Sequence, residues 1–233
     1  MPEIVVAGGS GGLGSAAVRL LAREWQVVFS YKSNSERASS LADVALPFKA
    51  NLAKASDRKS LLDTAVDLYG LVVFTGDPAR ATDASQIEDA MQRSHEANYL
   101  GPILLAREAA ERMKASGTRG AIVLISSMQA ISLFPGSTAY AAQKAALLHS
   151  GRILAKECRG KADIRVNVIC PGVNQAGMAE ASIASGKYDR YLTDNIIPRF
   201  GRAEDVARAV RFLLEPDSYI TGQVLTIDGG LTL

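Results

Sequence analysis

The chain has 233 residues, 48% hydrophobic and 21% charged, with a formal net charge of +2. That length supports one large domain with a substantial core, and the near-balanced charge gives no footing for a nucleic-acid or acidic-membrane partner. Cys158 and Cys170 are the only cysteines and lack metal-ligand spacing, which points to reduced thiols and no metal. Met1 to Ile4 carries no basic or apolar leader, and no apolar run reaches membrane-spanning length, so the expectation is a soluble, cytoplasmic chain.

In chain order, Ile4-Val5-Val6-Ala7 reads as a strand buried on both faces, ending in glycines. Leu13, Ala16, Ala17, Leu20 and Leu21 then recur at helical spacing. Between them lies Ala7-Gly8-Gly9-Ser10-Gly11-Gly12-Leu13-Gly14. Gly9, Gly11 and Gly14 fit G-x-G-x-x-G, while Gly8, Gly12 and Gly14 fit G-x-x-x-G-x-G. Glycines there allow backbone N–H groups to approach a pyrophosphate at the positive end of a helix, so a dinucleotide site is expected. The next strand, Val27 to Tyr31, runs into Lys32-Ser33-Asn34 with no carboxylate. A carboxylate there would serve a ribose 2′-OH and repel a 2′-phosphate, whereas Lys32 and Ser33 could receive one; the expected cofactor is NADP(H) rather than NAD(H).

Further strands are expected at Leu71 to Phe74, Ala121 to Ser126, Val166 to Ile169 and Val224 to Ile227. Helical patterns cover Ala97 to Ala115, Ala139 to Glu157 and Ala203 to Leu214. The alternation predicts an α/β fold: a Rossmann-type, doubly wound parallel sheet of about seven strands in a single domain, 1–233. On the helix from Ala139, Tyr140 and Lys144 stand four residues apart, which places a phenol and an ammonium one turn apart on one face. A nearby positive charge favours phenolate, so this pairing is expected to lower the tyrosine pKa toward the range useful for proton transfer.

With glycine loop and Tyr-x-x-x-Lys together, the chain resembles the short-chain dehydrogenase/reductase family over essentially its full length. Ser127 lies thirteen residues before Tyr140, where the family places its serine, and Asn98 matches its helix asparagine. Pro171-Gly172 matches a nicotinamide-side element, and the tail through Asp228-Gly229-Gly230 is similar to the family's. The resemblance implies Asn98, Ser127, Tyr140 and Lys144 as the catalytic set. Tyr140 would exchange a proton with the substrate oxygen, and Ser127 would hydrogen-bond that oxygen. Lys144 would tune Tyr140 and bind the nicotinamide ribose, and Asn98 would position a water linking Lys144 to solvent. It further implies cofactor contacts from Gly8, Ser10, Gly12, Leu13, Gly14, Lys32, Ser33, Asn51, Leu52, Gly76, Pro171, Gly172 and Val173, besides Tyr140 and Lys144.

Departures from the family fall on the adenine side at Ala7 for threonine, Val73-Phe74-Thr75-Gly76 for Asn-Asn-Ala-Gly and Asn51 for aspartate; Gly11 stands where many NADP(H) members are basic, and Ala176 replaces a threonine that touches the carboxamide. A local apolar repacking is expected on the adenine side. A substrate lid is expected near 175–195, holding Met178, Ile183, Tyr188, Tyr191 and Leu192, with Lys187 and Arg190 as loop cations. The 3-oxoacyl-[acyl-carrier-protein] reductase branch is the most similar, whereas enoyl reductases space tyrosine and lysine more widely. The partners implied are a small carbonyl or alcohol substrate, a carrier-bound acyl thioester among the candidates, and a homotetramer or homodimer. The alternative function is a non-catalytic dinucleotide-binding redox sensor or scaffold, prompted by the altered turn.

Overall fold

In the computed structural model, which describes residues 1–81 and 83–233, seven parallel strands form one sheet. They are β1 (Glu3–Ala7), β2 (Gln26–Tyr31), β3 (Leu46–Lys49), β4 (Leu68–Val73), β5 (Ala121–Ile125), β6 (Arg165–Pro171) and β7 (Val224–Ile227), in the order β3-β2-β1-β4-β5-β6-β7. The helices are α1 (Gly12–Leu21), α2 (Ser35–Ser39), α3 (Ala55–Asp63), α4 (Ile87–His95), α5 (Gly101–Ser116), α6 (Thr138–Glu157), α7 (Glu180–Ala184), α8 (Asp189–Thr193) and α9 (Ala203–Leu214).

Strand pleating sends alternate residues to opposite faces, so each face needs its own helical cover. Ile4 and Val6 of β1 join Phe29, Val72 and Val123 under Val18 and Leu21 of α1 and Val206 and Val210 of α9. Val5 and Ala7 join Leu71, Val73 and Leu124 under Leu105 and Ala109 of α5 and Leu147 of α6. The strand order reverses between β1 and β4, which opens a crevice at their C-terminal ends. Both crevice-lining turns start there, and the Phe74 amide donates to the Ala7 carbonyl at 2.8 Å.

Strand β3 and the helix around Asn98 depart most from the sequence reading. Strand β3 carries Pro47, which has no N–H to give a ladder and so hides a strand in sequence; an edge position tolerates it. The helix expected from Ala97 is the second half of a longer helical rod: α4 runs into a π-helical turn at Glu96–Leu100 and then α5. Pro102 cannot donate to the Asn98 carbonyl one α-turn back, and the Gly101 amide reaches Glu96 instead. The widened turn carries Asn98, fully buried.

Candidate active site

A cleft of about 1390 Å³ runs over the C-terminal ends of β1, β2, β4, β5 and β6. Of the residues expected from sequence to touch cofactor or substrate, all but Asn98 line it.

At one end the wall is backbone. Gly8 has φ +76° and its amide donates to Ser30 Oγ at 3.1 Å, while the Gly11 amide returns to the Gly8 carbonyl. A Cβ on Gly14 would sit 2.5 Å from that carbonyl, and one on Gly12 would sit 2.3 Å from the Gly177 amide nitrogen. No side chain caps α1 at Gly11, so the unclaimed first-turn donors and the positive helix end are available to an anion. This cradle, which a single methyl would fill, fits a pyrophosphate.

Beyond β2, Lys32 and Ser33 line the cleft, joined by Arg37, which the sequence reading missed. Asn34 accepts the Arg37 amide as the α2 N-cap, and that capping asparagine is the signal that could have found it. Asn51 turns its side chain to the Ala53 amide, while its own amide is taken by Asp57, whose carboxyl is held below its usual range by that bond. The altered β4 turn does abut the glycine loop: a Cβ on Gly8 would meet the Thr75 amide nitrogen at 2.9 Å. Phe74 packs into the α1–α9 side of the core, while Thr75 Oγ1 is buried without a hydrogen-bond partner. The apolar repacking therefore stops at Phe74.

At the other end the wall is buried side chains. The extended Ser127 (φ −163°, ψ 153°) caps a 3₁₀ turn, Met128–Ala130, and its Oγ accepts the Gln129 amide at 3.2 Å. Its hydroxyl lies near enough to the Tyr140 phenol to favour the phenolate. Lys144 is 2% exposed and directs Nζ to the Ile125 carbonyl at 3.0 Å and toward that of Thr75 at 3.4 Å, which leaves it 5.9 Å from the Tyr140 ring centre.

The expected depression of the phenol is not what this arrangement yields. Burial pushes Tyr140 up to about 12 against the opposing effect of Ser127, because Lys144 points its charge at carbonyls. Burial likewise lowers Lys144 to about 8.

Asn98 lies one layer beneath the cleft. Its side-chain amide donates to the Asp77 carbonyl and Ser94 Oγ and accepts the Asp77 amide, so it fastens the segment after Gly76. A Cβ on Gly76 would lie 2.8 Å from Asn98 Oδ1, 3.0 Å from Met178 Cε and 3.5 Å from Lys144 Nζ. Asn98, Lys144 and the 175–195 segment thus meet at that glycine. In that segment Ile183, Tyr188, Tyr191 and Leu192 pack on Met128, Val173, Ile197 and Phe200, with Tyr188 and Tyr191 stacked at 5.8 Å. Lys187 lines the cleft and Arg190 does not. Among the described residues, no helix is long and apolar enough to cross a membrane.

A glycine cradle at a switch point, with a serine after β5 and a tyrosine and lysine on α6 beyond it, defines a dinucleotide-linked oxidoreductase by architecture. The family model described as enoyl-(acyl carrier protein) reductase matches residues 7–232. The chain is 36% identical over 237 residues to a 3-oxoacyl-[acyl-carrier-protein] reductase of Rattus norvegicus, covering 98% of this chain and 97% of the relative. Its fold is shared with a solved 4-hydroxyisoleucine dehydrogenase complexed with NADH (TM-score 0.90, 24% identity, 100% and 99% of the two chains). It is shared also with ElxO with NADP bound (TM-score 0.85, 24% identity, 99% and 98%). The chain belongs to the short-chain dehydrogenase/reductase family and is an oxidoreductase of that family.

Proposed function

We propose that this protein reduces a carbonyl, or oxidises the corresponding secondary alcohol, using NADP(H) in preference to NAD(H), with 3-oxoacyl thioesters as the foremost substrate class. The carrying observation is that Ser127, Tyr140 and Lys144 converge in one cleft opposite an uncapped glycine cradle. Hydride, the one reactant the side chains cannot supply, is the chemistry of the bound dinucleotide. Tyr140, still protonated at neutral pH, gives its proton to the carbonyl oxygen as negative charge develops there. Ser127, whose lone pair is engaged by the Gln129 amide, keeps its hydroxyl proton for the same oxygen. Lys144 would hold positive charge near the reacting oxygen, and Asn98 fixes the Gly76–Asp77 backbone that would flank the cofactor.

The 175–195 segment acts as a lid within the single domain, excluding water above Tyr140. NADP(H) preference rests on Lys32, Ser33 and Arg37 facing the cleft where β2 ends without a carboxylate. Among the relatives, the rat 3-oxoacyl reductase supports the thioester assignment. An enoyl substrate, named by the family model, is disfavoured by the four-residue Tyr140–Lys144 spacing. The assembly is a cytoplasmic homotetramer, which light scattering tests; a clean monomer would contradict it. The function is tested by NADPH oxidation against 3-oxoacyl thioesters, ketones, quinones and sugars. Turnover strongest with 3-oxoacyl thioesters is expected; tight NADPH binding with no turnover of any would replace an enzyme by a dinucleotide-binding sensor.

A further inference from the structure

Behind Tyr140 and Lys144 the last residues of β5 grip α6 at successive points. Lys144 Nζ donates to the Ile125 carbonyl at 3.0 Å, and Ser126 Oγ donates to the Lys144 carbonyl at 2.7 Å. Ser126 is 3% exposed, and its own amide donates to the Ile169 carbonyl of β6 at 2.8 Å. A backbone carbonyl only accepts, so Ser126 spends its single hydroxyl proton on Lys144. The result is a chain from β6 through Ser126 to the Lys144 carbonyl, one residue before Ser127.

We propose that Ser126 is a positioning residue: a buried strap that sets the chain after β5 against α6 and thereby fixes the Ser127 hydroxyl relative to the Tyr140 phenol and the Lys144 ammonium. This rests on the catalytic reading of Ser127, Tyr140 and Lys144. The strap is not needed to complete α6, because the Lys144 carbonyl lies mid-helix, where a residue one turn on can serve it. Its removal is expected to act on alignment before it acts on folding. Small displacements of reacting groups cost on the order of 10- to 100-fold in rate.

The test compares Ser126→Ala with Ser126→Cys, which keeps a weaker donor of similar size. Steady-state reduction of a 3-oxoacyl thioester and calorimetric NADPH binding are measured on each. The titration of Lys144 is followed on the protein alone by NMR of lysine 13Cε. Expected is a kcat loss of roughly 10-fold or more for Ser126→Ala, larger than its loss of NADPH affinity. Ser126→Cys should recover part of the rate. The Lys144 midpoint should rise from about 8 toward the ordinary lysine value of 10.5 as its seat loosens. Parent kcat and an unmoved Lys144 midpoint in Ser126→Ala would overturn the strap, as would a Ser126→Cys variant no better than Ser126→Ala. Tyr140→Phe, assayed alongside, separates the two readings. Full activity there overturns the catalytic assignment and the strap with it, whereas an inactive Tyr140→Phe beside a parent-like Ser126→Ala overturns the strap alone.

Discussion

The two ends of the cleft are made of different materials. At the glycine end, main-chain amides and the absence of Cβ atoms make the surface, and several of the surrounding side chains are exposed. At the catalytic end, Ser126, Ser127 and Lys144 are buried polar side chains held by backbone: Ser126 by the Lys144 carbonyl, Lys144 by the Ile125 carbonyl and Ser127 by the Gln129 amide. The contrast teaches where each end is vulnerable. Phosphate recognition by backbone tolerates nearby side-chain changes such as Ala7 or Phe74 but not an added methyl. Proton transfer by positioned side chains tolerates little change of functional group.

The sharpest way to break this comparison is at the phenol. Tyr140→Phe should lower kcat by roughly 10²- to 10⁴-fold, the scale of general acid catalysis, while calorimetric NADPH affinity stays near that of the parent. Equal losses in rate and affinity would mean that the two ends are one unit. The converse change is Gly14→Ala, whose Cβ would sit 2.5 Å from the Gly8 carbonyl and force the loop open. NADPH affinity should weaken by at least roughly 10-fold, about 1.4 kcal/mol, with KM for the carbonyl little changed. Tight NADPH binding by this variant would show that the pyrophosphate does not use the cradle.

A third test titrates the catalytic end alone. Reduction needs a protonated Tyr140 and a charged Lys144. Burial places the phenol near 12 and the ammonium near 8, so the lysine limits first as pH rises. The reduction rate should therefore fall through about pH 8 and not through the phenol's range, with a matching 13Cε titration of one lysine. The same shifts carry signs for stability. Lys144, lower when folded than its ordinary 10.5, adds stability as pH climbs from about 8 to 10.5; Tyr140, raised above 10.0, withdraws it between 10.0 and about 12. A rate that holds steady past pH 9 would place the Lys144 charge outside the mechanism.

The same physics decides which elements are legible in the sequence. Runs such as Ile4 to Ala7 or Ala121 to Ile125 announce doubly buried strands, because both sheet faces demand apolar side chains. Strand β3 stayed hidden because Pro47 contradicts its local pattern, and only an edge position permits it. The π-turn around Asn98 depends on what Pro102 withholds from a carbonyl four residues back, and helical periodicity does not record that. Spacing placed Tyr140 one turn from Lys144, but the direction of the Lys144 tip was decided by the Ile125 and Thr75 carbonyls, which arrive from other strands. Burial then reversed the expected sign of the phenol's shift. Arg37 is not legible in the strand pattern, because the short helix that Asn34 caps is what brings it to the cleft.

The smallest expected effect lies farthest from the chemistry, and it decides which dinucleotide the backbone end serves. Lys32 and Arg37 are both exposed, so each charge works through screened solvent, and an exposed ion pair contributes up to about 1 kcal/mol. Replacing either with alanine should weaken NADPH binding by up to roughly 5-fold and leave NADH untouched, since NADH presents a ribose hydroxyl where NADPH carries a dianionic phosphate. The discrimination should also shrink as salt rises from 0.05 to 0.5 M, because the Debye length falls below the reach of both side chains. Paired NADPH and NADH titrations of Lys32→Ala, Arg37→Ala and the double variant read this directly. If both cofactors weaken together, the two cations act on the shared pyrophosphate, and the missing carboxylate after β2 is no guide to the 2′ position.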